Sequence, residues 1–197
     1  MKHLTLLIKL VKPWIPLIII FGVLKLTGQL GNAISLGQSA VLKTGILNAD
    51  AESQESDDFD FGFSAYSLNG DPLNSDSLKN KVIFLNIWAT WCGPCRAELP
   101  TIQNLYNSID NNNIAFVMLA VDRADPFKRV KQYVDNSEYT FPVYILKGEP
   151  TDQIRVPTIP TTFVISRNGK ILTQESGLRN YDTNKFRKFL LREANRK

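Results

Sequence analysis

A chain of 197 residues is long enough for one domain with its own hydrophobic core and an extra segment, but short for two domains. Hydrophobic residues make up 44% and charged residues 21%, which excludes wholesale disorder and a polytopic membrane protein. The net charge of +4 is unevenly spread, since residues 1–47 hold five lysines and no acid and residues 48–60 hold six acids and no Lys or Arg. Basic residues elsewhere are scattered, so we predict no nucleic-acid partner.

The first 36 residues carry a membrane-targeting pattern. A basic head with three lysines (Lys2, Lys9 and Lys12) precedes an apolar run of eleven residues, Trp14–Leu24. We predict a signal anchor that spans the membrane from about Pro13 to Asn32, although a spanning helix usually needs about 20 apolar residues. Two alternatives stay open, a signal peptide cleaved near residues 31–33 and a basic amphipathic helix on the membrane surface.

Charge also predicts the orientation of the anchor and the organisation of the chain. Positive residues that flank a first span tend to stay in the cytoplasm, and here the lysines precede the span while the following residues turn acidic. We therefore expect a single-pass protein of the cell inner membrane with its folded domain on the periplasmic, extracytoplasmic side. Residues 37–58 are small, polar and acidic, which indicates a solvated linker. The folded domain is expected over residues 59–197.

Hydrophobic periodicity predicts alternating strands and helices after residue 58. Residues 59–68 alternate apolar and small side chains, Asn69 and Gly70 form a turn signal, and the apolar run Val82–Trp88 suits a buried strand. The later predicted elements are a helix at 94–109, a strand at 114–121, a helix at 127–136, an extended stretch at 141–146, strands at 161–166 and 170–174, and a helix at 183–194. This order predicts an α/β protein with a mixed sheet and helices on both faces.

Two cysteines, Cys92 and Cys95, follow the predicted strand Val82–Trp88, and the single histidine of the chain is His3. The pair cannot complete a zinc site, which needs about four Cys or His ligands. A strand that leads into a helix places both thiols at the helix N terminus, where exposed amides and the helix dipole favour a thiolate. We expect Cys92 to attack disulfides and Cys95 to resolve the mixed disulfide. This chemistry needs a redox-active disulfide and no metal or other cofactor.

Three neighbours of the cysteines are predicted to contact a substrate chain. Gly93 permits the close approach of a partner backbone, and Pro94 suits an early helical position. Trp91 is expected to line the substrate groove, with simple packing as the alternative. A proline at position 160 stands directly before the β-branched strand at 161–166.

The segment Asn86–Pro100 resembles, over its whole length, the active-site segment of the thioredoxin superfamily, and specifically of its membrane-tethered TlpA/ResA-like branch. The resemblance extends from about Phe59 to the C terminus. It implies a thioredoxin fold, that is, a central mixed sheet flanked by helices. It also implies that Pro160 is a cis-proline opposite the cysteines and that Ile159 offers its backbone to the substrate chain.

Glu98, three residues after Cys95, matches an acidic residue that ResA-like proteins hold near the active site. One helical turn separates the two side chains, which is close enough for Glu98 to tune the thiol pKa values or to accept a proton from the resolving cysteine. A plain solvent-facing helix glutamate is the alternative. Cytoplasmic thioredoxins carry a buried aspartate six residues before the first cysteine, and this chain has Asn86 there, which cannot titrate.

These features predict a membrane-anchored thiol-disulfide oxidoreductase that reduces protein disulfides, for example in cytochrome c maturation or envelope redox homeostasis. Its expected partners are protein disulfide or dithiol substrates and a membrane thiol-transfer electron donor, because an exported thiol pair in an oxidising compartment needs a donor to stay reduced. Two alternatives stay open. The protein could be an exported disulfide oxidase or isomerase, or a non-enzymatic binding module of the thioredoxin fold.

Overall fold

The computed structural model describes residues 12–27, 37–109 and 112–196. Near the N terminus a 3-10 turn, Lys12–Trp14, leads into helix α1, Ile15–Leu26. Within the described ranges no helix combines the length and the apolar character needed to cross a membrane. Lys2, Lys9 and the possible cleavage site at residues 31–33 lie outside those ranges. The membrane anchor therefore stays a prediction.

A six-stranded mixed sheet forms the centre of the domain, in the order β1-β4-β3-β2-β5-β6. The strands are β1 Ser64–Ser67, β2 Val82–Trp88, β3 Ile114–Ala120, β4 Val143–Lys147, β5 Thr161–Ile165 and β6 Ile171–Ser176. Strands β2, β3 and β4 run parallel, and β1, β5 and β6 each pair antiparallel to a neighbour. Because β2 and β3 lie inside the sheet and are covered on both faces, they form the almost continuous apolar runs that the sequence shows.

Three helices, α2 Gly93–Asn107, α3 Pro126–Ser137 and α4 Asn184–Asn195, pack on the sheet. Each has apolar side chains at helical spacing, and α4 begins at the N-cap Thr183, whose side chain accepts a hydrogen bond from the Phe186 N–H at 3.1 Å. The predicted thioredoxin fold, a mixed sheet flanked by helices, is confirmed.

The two faces of β2 belong to different parts of the core. Phe84 and Trp88 point toward the helices, and the Phe84 ring lies 5.1 Å from the rings of both Phe116 and Tyr181. Ile83, Leu85 and Ile87 point the other way, into a second cluster. Residues 59–65, the 3-10 turn Ser75–Leu78 and Ile154 cover that second face. Helices α2, α3 and α4 all contribute to the first cluster.

The segment predicted as a solvated linker, residues 37–58, is docked on the domain over much of its length. Residues 37–42 are helical, and Leu42, Ala49 and Ala51 are buried. The backbone N–H groups of Gln54 and Ser56 donate to the carbonyls of β6 residues at 2.9 Å each. The solvated character is therefore a wrong expectation here, although the boundaries at residues 36 and 58 stay predictions.

The acidic composition of this segment has a structural reason. Its carboxylates face basic side chains of the domain, in the pairs Asp50–Lys185 at 3.8 Å, Glu55–Arg196 at 3.4 Å and Asp58–Lys170 at 3.2 Å. Exposed pairs of this kind stabilise a fold by at most about 1 kcal/mol each. The main-chain hydrogen bonds and the buried alanines therefore contribute more to docking than the charges do.

Candidate active site

A disulfide joins Cys92 to Cys95 at the start of α2, directly after β2. Cys92 is the N-cap of α2, with extended backbone angles, and its Sγ accepts a hydrogen bond from the Cys95 N–H at 3.2 Å. The first amides of a helix have no partner within the helix, so they are available to stabilise a negatively charged sulfur. Cys92 is 5% exposed and Cys95 is fully buried, which makes Cys92 the more accessible of the two.

A second segment of the chain lies opposite the disulfide. The Ile159–Pro160 peptide bond is cis, as the resemblance implied, and the Ile159 carbonyl oxygen lies 3.7 Å from the Sγ of Cys92. Pro160 precedes β5, and its own carbonyl accepts a hydrogen bond from the Gly177 N–H at 2.8 Å. β5 pairs with β2, so the sheet itself brings the two segments together.

The other residues predicted to contact a substrate surround the disulfide. Trp91 is 65% exposed, whereas Gly93 and Pro94 are half-buried. The nearest atom to a side chain added at Gly93 would be the Oε1 of Gln38, at 3.8 Å. The exposed indole of Trp91 offers a contact surface for a partner chain beside Cys92. Their roles in binding stay predictions.

Glu98 is fully buried, so the alternative of a solvent-facing helix glutamate is wrong. Its Oε1 accepts a hydrogen bond from the Asn86 Nδ2 at 2.8 Å, and its Oε2 accepts one from the Arg179 backbone N–H at 3.1 Å. Burial raises the pKa of Glu98 to about 8, and these two donors oppose the shift only in part. Helical side chains lean toward the N terminus, which directs Glu98 back toward the turn that holds Cys95.

Asn86 is a functional candidate that the sequence reasoning noted only as a departure from thioredoxins. Its Nδ2 donates to Glu98 and also to the Thr162 Oγ1 at 2.9 Å, while its Oδ1 has no hydrogen-bond partner. An amide offers both donor and acceptor, so Asn86 can bond an ionised or a neutral carboxyl group. The sequence feature that could have identified Asn86 is that it is the single polar residue within the apolar run Val82–Trp88, at a position that faces α2.

Asp122 is a second residue that the sequence reasoning missed. It follows β3 and is 6% exposed, and its two carboxylate oxygens accept hydrogen bonds from the Thr90 N–H at 3.0 Å and the Thr90 Oγ1 at 2.6 Å. Thr90 lies two residues before Cys92, so this clamp fixes the loop that carries the thiol. The signal was an acidic residue at the carboxyl end of β3, because parallel strands end at the same edge of a sheet.

Metal ligation does not account for the buried carboxyl groups. Within residues 12–27, 37–109 and 112–196, no group of three His, Cys, Asp or Glu side chains is placed to hold a metal ion. The oxygens of Glu98 and Asp122 instead accept hydrogen bonds from protein donors. Both carboxyl groups therefore have hydrogen-bond partners within the fold.

Comparison with known proteins places this geometry in a family. The model of the Redoxin family matches residues 54–188, which include both cysteines and the cis-proline. The chain belongs to the Redoxin family. The predicted membership of the thioredoxin superfamily, in its TlpA/ResA-like branch, is confirmed. Oxidoreductases of the thioredoxin type work through a redox-active cysteine pair without a further cofactor, and the Cys92–Cys95 disulfide is that pair in this redoxin.

Named relatives match about half of this redoxin. It is 38% identical over 95 residues to the thiol-disulfide oxidoreductase ResA of Oceanobacillus iheyensis (48% of each chain), and 34% identical over 116 residues to ResA of Bacillus thuringiensis (58% of this chain and 66% of that one). The chain thus matches less than two thirds of the length of these relatives. A thiol:disulfide interchange protein of the thioredoxin family from Chlorobium tepidum has a similar structure, with a TM-score of 0.56, 28% identity and coverage of 75% of this chain and 100% of the other.

Proposed function

We propose that this protein is a thiol-disulfide oxidoreductase that reduces disulfides of other proteins. The observation that carries the proposal is the Cys92–Cys95 disulfide at the N terminus of α2, with the carbonyl of Ile159 3.7 Å from the Cys92 sulfur. A thiol pair at this place has a stabilised thiolate, an adjacent resolving thiol and a backbone edge against which an extended substrate can lie. The names of the relatives, thiol-disulfide oxidoreductases, support exchange between thiols and disulfides.

The reaction begins from the reduced pair. The Cys92 thiolate attacks one sulfur of a substrate disulfide, a new S–S bond forms between enzyme and substrate, and the other substrate sulfur leaves as a thiolate that takes a proton from solvent. The Cys95 N–H, 3.2 Å from the Cys92 sulfur, and the dipole of α2 stabilise the attacking thiolate. A substrate chain lies along Ile159 and Pro160 and against the exposed ring of Trp91.

Resolution of the mixed disulfide requires the Cys95 thiol to lose its proton. Glu98, on the next turn of α2, accepts this proton in its ionised form. The Cys95 sulfur then attacks Cys92, the mixed disulfide breaks, and the second substrate sulfur leaves as a thiolate. Two electrons pass from the enzyme to the substrate, and the Cys92–Cys95 disulfide forms. Because burial raises the pKa of Glu98 to about 8, resolution becomes faster as the pH rises toward 8.

The direction of electron flow and the cellular place complete the proposal. In an oxidising compartment a thiol pair acts as a reductant only when a partner returns two electrons to it. We infer a membrane thiol-transfer protein as that donor, and disulfides of apocytochromes or other envelope proteins as substrates. The dipeptide between the cysteines, Gly93-Pro94, is the one found in reducing thioredoxins, which favours reduction over oxidation or isomerisation.

We also infer that the chain is held in the inner membrane by its first 36 residues, with the folded domain on the periplasmic side. Most large apolar side chains of α1 are exposed, among them Ile18 at 62% and Phe21 at 55%. An apolar helix surface that the domain leaves uncovered is unfavourable in water and favourable in a lipid environment. The predicted outcome is that the full-length protein sediments with membranes and resists extraction by carbonate. A soluble protein whose mature N terminus lies close to residue 34 would refute the anchor.

The activity is tested by reduction of insulin disulfides with dithiothreitol as the electron source. The wild-type protein is expected to accelerate the reaction, and Cys92→Ser is expected to abolish it while keeping the fold. Equilibration of the cysteine pair with a glutathione buffer gives its reduction potential, which indicates the direction of electron flow. A reductase is expected near the potential of thioredoxin, about −270 mV, and a value near about −120 mV would favour the oxidase alternative instead.

A further inference from the structure

The loop that closes over Glu98, Gly177–Tyr181, follows β6 and is here called the Glu98 loop. The backbone N–H of Arg179 donates to the Oε2 of Glu98 at 3.1 Å. The backbone N–H of Tyr181 donates to the Thr101 Oγ1 on α2 at 3.2 Å. The loop is thus fastened to α2 on both sides of residue 180.

Residues 47–50, here called the brace, bind the Glu98 loop from outside. The Asn180 N–H donates to the Leu47 carbonyl at 2.7 Å, and the Ala49 N–H donates to the Asn180 carbonyl at 3.0 Å, so residue 180 is held on both of its backbone groups. The Asp50 N–H donates to the Glu175 Oε1 at 3.1 Å.

The brace also reaches the Glu98 loop through side chains. The Oε2 of Glu175 accepts a hydrogen bond from the Arg179 Nε at 2.7 Å. The Asn180 Nδ2 donates to the Asn48 Oδ1 at 3.1 Å and approaches the Leu42 carbonyl at 3.5 Å. These bonds form a continuous chain of contacts from the N-terminal segment to the carboxyl group of Glu98.

We propose that residues 47–50 are positioning residues for Glu98, because they hold the Glu98 loop closed and keep water away from the carboxyl group. The proposal rests on the role of Glu98 in the proposed function. It assigns a part of the reaction to a segment that composition had indicated as a passive linker. The carboxyl group of Glu98 accepts its hydrogen bonds from Asn86 and Arg179, so the brace acts on it through the loop.

The charged and titratable groups that face Glu98 come from several elements. On the loop side they are Arg179, paired with Glu175, and Tyr181. On α2, Cys95 precedes Glu98 by one helical turn and carries a thiol in the reduced state. From β2 and β5 the neighbours are the uncharged Asn86 and Thr162. The Arg179–Glu175 pair is the contact that the brace controls most directly.

Loss of the brace is predicted to lower the pKa of Glu98. Burial is the largest cause of the raised pKa of Glu98, and the Arg179 amide bond, which lowers the pKa, is the smaller effect. When the loop opens, water reaches the carboxyl group and removes the larger effect, so the pKa of Glu98 falls from about 8 toward its ordinary value of 4.5. The midpoint of the pH profile of resolution is expected to move down by about one pH unit or more.

The test uses the full chain with an inserted protease site, compared before and after cleavage. A site between Glu52 and Ser53 separates the brace from the domain and leaves intact residues 54–188, which the family model matches. A site between Thr44 and Gly45 is the matched control, because this cut leaves the brace attached. In each sample the released fragment is removed, and single-turnover resolution of a preformed Cys92 mixed disulfide is followed from pH 5 to 9. The carboxyl carbon of Glu98, assigned with Glu98→Gln, is titrated by NMR in the same samples.

Cleavage after Glu52 is expected to lower the midpoints of both the resolution profile and the NMR titration. Cleavage after Thr44 is expected to leave both midpoints unchanged. Unchanged midpoints after removal of the brace overturn the proposal. If Glu98→Gln leaves the pH profile of resolution unaltered, the role of Glu98 as proton acceptor is wrong. The NMR titration of Glu98 still tests the brace in that case. If the cut domain unfolds, Ala49→Pro in the uncut chain decides, because it removes the N–H group that donates to the Asn180 carbonyl, with Asn184→Ala as its control. A smaller downward shift of the pH profile for Ala49→Pro alone supports the brace, and equal profiles for both variants contradict it.

Discussion

Replacement of the buried acid, Glu98→Gln, is expected to change how stability depends on pH. Burial raises the pKa of Glu98 from 4.5 to about 8 in the folded protein, and unfolding restores the ordinary value. Between these two pH values the folded state holds a proton that the unfolded chain has released. The stabilisation is therefore complete below about pH 4.5 and is lost as the pH rises through about 8.

The size of this effect follows from the two pKa values. The free energy of unfolding falls by about 1.4 kcal/mol per pH unit across the window, or on the order of 5 kcal/mol in total. Glutamine keeps the shape of the side chain, but its NH₂ group faces an N–H donor, either that of Asn86 or that of Arg179, where a carboxyl oxygen stood. The lost hydrogen bond lowers the free energy of unfolding by about 1–2 kcal/mol at every pH. The variant is thus expected to be less stable than the wild type at pH 5 and more stable, by about 3 kcal/mol, at pH 9.

The assay is urea unfolding of the oxidised protein between pH 5 and 9, followed by tryptophan fluorescence. In the oxidised state the disulfide cysteines do not titrate, and the sequence has a single histidine, His3, outside the described residues, so few other side chains change charge in this window. Glu149→Gln, which alters a carboxylate that is 92% exposed, is the control and is expected to follow the wild-type curve. Parallel curves for Glu98→Gln and the wild type would refute the reasoning.

Two further predictions concern the scaffold. Asp122→Ala leaves the Thr90 N–H without its partner, and we expect the free energy of unfolding to fall by about 2–3 kcal/mol. Hydrogen exchange in residues 89–92 is expected to become faster, and an unchanged exchange rate there would contradict the clamp. Phe84→Ala empties the centre of the aromatic cluster and is expected to lower the free energy of unfolding in urea by about 3–5 kcal/mol. The control is Phe127→Ala, at a residue that is 40% exposed, with an expected loss of less than about 1 kcal/mol. Equal losses would contradict the assigned core.

The elements that the sequence predicted well are those with a long, regular pattern. The apolar run at 82–88 is strand β2 with the same bounds, and the helices and strands near 94–109, 114–121 and 183–194 differ from the structure by one or two residues at their ends. The alternating stretch at 59–68 forms a strand only over Ser64–Ser67, because only these four residues pair with β4. The preceding phenylalanines pack on the second face of the sheet instead, with Phe59 against Phe163 at 5.5 Å.

Two parts of the site could not be read from local patterns. The burial of Glu98 depends on Asn86, Arg179 and Thr162, which lie far apart in the chain and meet only when the sheet and α2 have formed. The docking of residues 47–50 depends on main-chain hydrogen bonds to Asn180, and main-chain partners leave no mark on side-chain composition. The cysteines, in contrast, carried their chemistry in a local motif, since a strand, a turn and a helix start were all visible around them.

The central claim is that Cys92 attacks the substrate and Cys95 resolves the mixed disulfide. The most direct measurement is intact mass analysis and peptide mapping of Cys92→Ser and Cys95→Ser after each variant has reacted with a peptide disulfide. We expect Cys95→Ser to accumulate a stable mixed disulfide on Cys92, and Cys92→Ser to react far more slowly, because the Cys95 sulfur is buried. A mixed disulfide that forms rapidly on Cys95 in the Cys92→Ser variant, with Cys92 inert in the other, would contradict the account.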